Sequence, residues 1–402
     1  MAARLRSAVA PLRGGGRGWV ATTVAMGWLV VLGTRFVLPA LLPEITAHFD
    51  LTNTTAGLAV TVVWLTYAGT QFPGGLLVDR VGERWLLAAS LAVGGGGIVA
   101  LAAAPNVVGF FLAAAAFGTG TGLFGTARGT VLSRVYGERD GPAFGVVLGA
   151  GSFGAALLPF LAGVLAPQVG WRVVLAAFGP VFLGVAVGLW WAVPGGPHRA
   201  ASATRTLRRD LGQLQGALVR RPVVVAAVGG SLMLFAFQGL TAFLPTYLIA
   251  QKGLPPETAA GVFALVFASG AGFQLLAGTA ADRVGHRWVL VATAVASVPA
   301  VLLLPVADGV GPLAVLAVGI GLRLSVGPAT NAYVVGVLPE EVKGSAWGLV
   351  RTVFMSLGAL GSLAVGALAD AGRFDQAFVA LAVLSGVAAV CYLALPPRTA
   401  AS

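Results

Sequence analysis

Long apolar runs alternate with short polar breaks along the whole chain. Twelve runs separate, near residues 19–42, 55–78, 85–104, 107–132, 143–166, 172–193, 223–250, 257–281, 288–306, 311–337, 345–369 and 376–396. Each is continuous and about twenty residues long, the length a helix needs to cross a bilayer core. Barrel strands would instead alternate apolar and polar over about ten residues. Lipid admits only helices and closed barrels, so the pattern predicts an all-α membrane protein with twelve transmembrane helices. The first run follows Arg4, Arg6, Arg13 and Arg17 as in a signal peptide. It is too long for a signal core and is read as a retained first helix.

One polar stretch is long. Residues 194–221 separate a first unit, 1–193, from a second, 222–402. Within it Leu207, Leu211, Leu214 and Leu218 recur at helical spacing, which predicts an amphipathic helix on the inner leaflet. A docking site for a partner is the alternative. The two units repeat at an offset of 203: Gln71 with Gln274, Gly75 with Gly278, Asp79 with Asp282, Trp85 with Trp288, Gly145 with Gly348 and Gly163 with Gly366. Two six-helix bundles in the same orientation, related by a pseudo-two-fold along the membrane normal, are expected.

Composition agrees: 57% of residues are hydrophobic and 10% charged, against roughly 25% charged in soluble domains. The net charge of +11 does not signal nucleic acid, because the cations sort by side. With the N-terminus inside, inner segments hold 18 Lys or Arg and outer ones hold 3, namely Arg172, Lys252 and Arg373. Both termini are therefore placed in the cytoplasm. The single Cys391 excludes an intrachain disulfide. Asn53-Thr54-Thr55 matches a glycosylation sequon, but Asn53 or Thr54 is better read as a helix cap.

The inner breaks carry a repeated motif. GGLLVDRVGERW spans 74–85 and AGTAADRVGHRW spans 277–288. Gly82 and Gly285 allow a sharp turn, and the arginines hold the loop inside. Positive-inside topology needs no carboxylate, so Asp79 and Asp282 carry the information; an Asp there can pair with arginine or cap a helix N-terminus. Gly75, Asp79, Arg80, Gly82 and Arg84, and again Gly278, Asp282, Arg283, Gly285 and Arg287, resemble the loop signature of the major facilitator superfamily. Glu83 and His286 depart from it where a basic residue is usual. Gly141, Ala143 and Gly145 after Arg139 fit a further pattern loosely, as does Trp171-Arg172. The resemblance implies a secondary carrier working by alternating access, with helices one, four, seven and ten around a central cavity. It implies that Asp79 braces the start of the eleventh helix when the inner side closes, and Asp282 that of the fifth. Breaking such a contact shifts a two-state balance.

Four cations remain inside the runs: Arg35, Arg128, Arg323 and Arg351. A charge at depth points to function unless it reaches water or a partner. Snorkelling to the headgroups is the alternative, most of all for Arg128 and Arg351. All fourteen carboxylates fall in loops or at helix ends. A positive cavity without an internal counter-ion predicts a small organic anion as substrate. Candidate contacts are Arg35, Arg128, Arg323, Gln238 (offset partner of Arg35), Asn331 (offset partner of Arg128), Trp64, Tyr67, Gln71, Tyr247 and Gln274. Each polar one reads equally well as a helix–helix contact.

No G-x-x-x-x-G-K-S/T occurs, so ATP-driven pumping is excluded on this chain, and His48, His198 and His286 are scattered, so no metal or cofactor is expected. The drug-exporter pattern of the family is broken at ALLPFLAG in the fifth run. The reading is a monomeric carrier of a small organic anion in a prokaryotic cell membrane, neither an enzyme nor a nucleic-acid binder. An exporter of neutral or cationic compounds is one alternative, and a non-transporting sensor on the same fold another.

Overall fold

The apolar runs become helices. The computed structural model describes residues 17–137, 140–195, 215–339 and 342–396, apart from the side chains of Arg17 and Asp79. There is no strand among the described residues. In chain order the helices are α1 (Arg17–Phe49), α2 (Asn53–Gly69), α3 (Gln71–Val81), α4 (Glu83–Ala103), α5 (Val107–Tyr136), α6 (Gly141–Val169) and α7 (Trp171–Ala192). They continue as α8 (Arg221–Ala250), α9 (Pro256–Val284), α10 (His286–Leu302), α11 (Val310–Gly321), α12 (Val326–Val337), α13 (Lys343–Asp370) and α14 (Phe374–Leu393). Among the described residues, eleven helices are long and apolar enough to cross a membrane, α11 and α12 counting as one.

The run expected at 55–78 is built as two helices. The chain breaks at Thr70, whose hydroxyl donates back to the Tyr67 carbonyl at 2.8 Å. Pro73 offers no N–H to the Gly69 carbonyl, so a regular turn cannot continue through this point. The second interruption is the 3₁₀ turn Leu322–Ser325 between α11 and α12. Pro328 lies four residues after Leu324 and cannot bond its carbonyl. Gln274 supplies the missing donor: its Nε2 reaches the Leu324 oxygen at 3.2 Å. Interruptions of this kind inside a span mark hinges.

Packing follows the 203 offset. In the first half α1 lies on α6, and α4 on α5 and α7; in the second α8 lies on α13, and α10 on α14. The halves meet along α2–α13, α6–α9 and α1–α8. One end of the molecule carries both D-R-V-G-x-R-W turns, with Gly82 at φ +81° and Gly285 at φ +87°. At the opposite, far end the seams are shut. Ala56, Val60 and Val63 of α2, Ala359 and Val365 of α13, and Phe263 and Val266 of α9 are buried there. Toward the motif end Leu76 of α3, Leu276 of α9 and Leu349 and Val353 of α13 are exposed.

Two local expectations change. The cap of α2 is Thr52, whose side chain accepts from Thr55 N–H at 3.2 Å; Asn53 and Thr54 instead serve a cross-half contact taken up below. Helix α1 runs on to Phe49, beyond Leu42. Glu44, expected where the span ends, therefore lies within a helix, half-buried, and its Oε2 finds no partner among the described residues. Leu207, Leu211 and Leu214 of the expected linker helix lie outside the described residues, as does Arg139.

Candidate functional site

Between the far end and the motif end, both halves enclose a cavity of about 230 Å³. Its wall is mostly aromatic and aliphatic, including Trp28, Phe36, Trp64, Phe237, Phe267 and Met355. Into that wall project Arg35 from the first half and Arg323 and Arg351 from the second. No Asp or Glu among the described residues lines it.

Arg35 is 2% exposed. Its Nε donates to the Val31 carbonyl at 3.2 Å, tying the side chain to its own helix. The guanidinium carbon lies 4.2 Å from the Tyr67 ring centre, 4.9 Å from Trp64 and 5.3 Å from Trp28. Aromatic faces attract a cation but give it no counter-charge. Arg128 takes the same indole, 3.8 Å from the Trp28 centroid. It is buried rather than snorkelled, so the headgroup reading is corrected: the ring holds the side chain in. Arg323 lies in the 3₁₀ turn, and its Nη2 donates to Ser385 Oγ of α14 at 2.6 Å. Ser385 in turn donates to the Leu381 carbonyl at 2.7 Å, which fixes its lone pairs toward the guanidinium. Several donors stay without a partner among the described residues: Arg35 Nη2, Arg128 Nε and Nη1, Arg323 Nε and Nη1, and Gln238 Nε2.

A buried charge without a partner costs several kcal/mol. Ionisable groups held inside a span mark a candidate functional site.

Of the sequence candidates, Arg35, Arg323, Gln238, Trp64, Tyr67 and Gln274 line the cavity, and Arg128 stands behind Trp28. Gln71 does not line it: its Nε2 donates to the Tyr67 and Gly122 carbonyls, both at 3.2 Å, at the α2–α3 break. Tyr247 sits at the far end, donating to Asp375 Oδ1 at 2.6 Å and packed between Phe374 and Phe378. Asn331 is exposed and off the cavity. Sequence reasoning passed over Arg351 as a snorkelling residue and overlooked Trp28. The signal for Trp28 was its place seven residues before Arg35, two turns along the same helix face.

The motif residues divide their work. The Arg84 guanidinium stacks 4.2 Å from the Trp190 ring at the end of α7, while Arg287 Nη2 donates to the Leu393 carbonyl at the end of α14, at 2.7 Å. Residues 190 and 393 are themselves 203 apart. The second arginine of each motif thus ties its turn to the last helix of its own half, where carbonyls concentrate negative potential. Arg134 joins the first turn through Glu83 at 3.2 Å. Asp282, Arg80 and Arg283 are exposed. At the far end Arg172 donates to the Ala102 and Ala104 carbonyls at 2.8 and 2.9 Å and to His48 Nε2 at 3.0 Å, closing the end of α4.

Comparison with known proteins adds a lineage. A profile of the Major Facilitator Superfamily matches residues 23–278 and 262–402. The chain is 28% identical over 342 residues to the fosmidomycin resistance protein of Escherichia coli, covering 82% of this chain and 81% of that one. It is 25% identical over 367 residues to YfnC of Bacillus subtilis, an uncharacterized transporter-type protein, covering 89% and 88%. Among solved structures, a bacterial homolog of the human lysosomal transporter Spinster, inward-facing and unoccupied, superposes with TM-score 0.80 at 15% identity, covering 94% of this chain and 96% of that one.

Proposed function

We propose a function from one premise: this chain belongs to the major facilitator superfamily. It is a membrane transporter and not an enzyme, multi-pass in the cell membrane. Within that class we read it as a monomeric secondary carrier of a small organic anion. One observation carries the reading: arginines from both halves converge on a single apolar cavity that no acidic residue lines. Guanidinium groups suit carboxylate and phosphate oxygens, and a dry wall strengthens the attraction.

The cation bias puts the motif end in the cytoplasm, so the conformation described opens inward. Asn53–Val81, broken at Thr70, then counts as a twelfth span, and residues 1–193 and 222–402 move as two bodies. Closing the motif end would carry Asp79 toward the start of α13 and Asp282 toward that of α6, the gating role expected of the repeated loop. An efflux carrier for neutral or cationic compounds is the second reading; the relative named for fosmidomycin resistance supports export as the direction and not that charge class.

A thermal-shift screen of the purified protein against carboxylates, phosphate esters, neutral sugars and lipophilic cations separates the two. A ligand of the folded state raises the melting temperature. The expected result is stabilisation by anions alone, lost in Arg323→Gln while the unliganded variant melts no lower than the parent. Stabilisation by cations alone transfers the protein to the second reading.

A further inference from the structure

We propose that the substrate is an organic dianion held between the halves, one acidic group on Arg35 and the other on Arg323, across a short apolar body. The proposal rests on the anion reading and narrows it.

Each arginine is positioned from behind, lines the shared cavity and keeps buried donors without a partner among the described residues. Arg35 spends Nε on Val31 and its faces on aromatic rings, which leaves Nη2 without a partner. Arg323 spends Nη2 on Ser385, which leaves Nε and Nη1. Both line one cavity, yet they are held by different elements from opposite halves: Arg35 among the rings of Trp28, Trp64 and Tyr67, and Arg323 on Ser385 of α14. A single carboxylate seated on Arg35 would leave Arg323, 4% exposed, without a counter-charge. Uncompensated burial of that kind is strongly unfavourable. A second acidic group removes it.

The walls set the remaining chemistry. A volume of about 230 Å³ is below the usual range for drug-sized ligands, about 300–1,000 Å³. The body joining the two acids is therefore short. It faces Phe36, Phe237 and Phe267, where a hydroxyl would lose its hydrogen bonds. Arg35 is on α1 and Arg323 between α11 and α12, so such a ligand ties the two halves together.

The test compares matched acids on the full-length protein: adipate against hexanoate, and terephthalate against benzoate. Affinity is read by quenching of tryptophan fluorescence, with Trp28 and Trp64 in the wall. Each diacid is expected to bind roughly 10- to 100-fold tighter than its monoacid, the size of one charged hydrogen-bonded contact. Arg35→Gln and Arg323→Gln should each bring the diacid down to monoacid level, whereas each monoacid should respond to only one of the two. Equal affinity within both pairs overturns the bridging proposal and leaves the anion reading standing. Binding of neither pair counts against both. The wild-type ratio needs no variant, so a misfolded substitution cannot hide the answer.

Discussion

The two far-end seams are related by the repeat and closed by different chemistry. Along α2–α13 a carboxylate crosses from one half to the other. Asp370 accepts four hydrogen bonds: from Asn53 N and Nδ2 at 2.7 and 2.9 Å, and from Thr54 N and Oγ1 at 2.8 and 2.6 Å. It satisfies the free N–H groups that begin α2, where the helix dipole favours negative charge. Deeper in, Thr61 donates to the Ala359 carbonyl at 2.9 Å. Along α6–α9 the counterparts of Asp370, Asn53 and Thr54 are Pro167, Pro256 and Glu257. No comparable group can form there: Pro256 has no N–H, and neither proline carries a charge. Both crossings are close: a methyl on Gly366 would strike the Asn53 carbonyl, and one on the equivalent Gly163 would strike Ala260 Cβ at 2.5 Å. The repeat has preserved the crossing geometry and not the bonding. The hold on the far end is concentrated in one seam.

Four variants test that asymmetry. The largest effect is expected from Gly57→Leu in the bonded seam, because a side chain there meets the Ser362 carbonyl, which is backbone and cannot move aside. Overpacking should cost about 1–3 kcal/mol of the shut form. Read as alkylation of Thr61→Cys in a Cys391→Ser background, labelling should rise by one to two orders of magnitude. Unchanged labelling would mean that the seam is not what closes this end. Asp370→Ala comes next. Exposed charge-assisted bonds are discounted by solvent, so the same cysteine should label on the order of tenfold faster. If Glu257→Ala, at the counterpart of Thr54, matched that effect, the two seams would be equals and the comparison would fail. The smallest change is a gain: Pro167→Asp with Pro256→Asn and Glu257→Thr copies the carboxylate and its partners into the other seam. It should slow labelling only a few-fold, since exposed charge-assisted bonds are discounted by solvent.

Much of this was legible in the chain. Apolar run length located the spans, because nothing else survives in lipid, and the 203 offset paired the halves. Burial of Arg35 and Arg323 followed from their depth. What depth could not give was direction around a helix. Asn331 was chosen as the partner of Arg128, yet it faces away. Between them stands the 3₁₀ turn Leu322–Ser325, and four residues wound at 3.0 rather than 3.6 per turn rotate everything beyond by about 80°. An offset that ignores winding points the wrong way. Tyr247 failed for a different reason: its hydroxyl meets Asp375, more than a hundred residues later in the chain. Arg351 was discounted because its distance from the inner face suggested an escape to headgroups, and only the packing of α13 turns it inward.

The same turn bears on how such a protein changes over generations. Pro328 does not line the cavity, yet with Gln274 it keeps Leu324 out of a regular helix and so sets where Arg323 points. A mutation at Pro328 would rewind the span and re-aim the guanidinium while every wall residue stayed the same. Preference for one cargo over another can then drift through helical pitch, at positions that a survey of the binding surface would pass over.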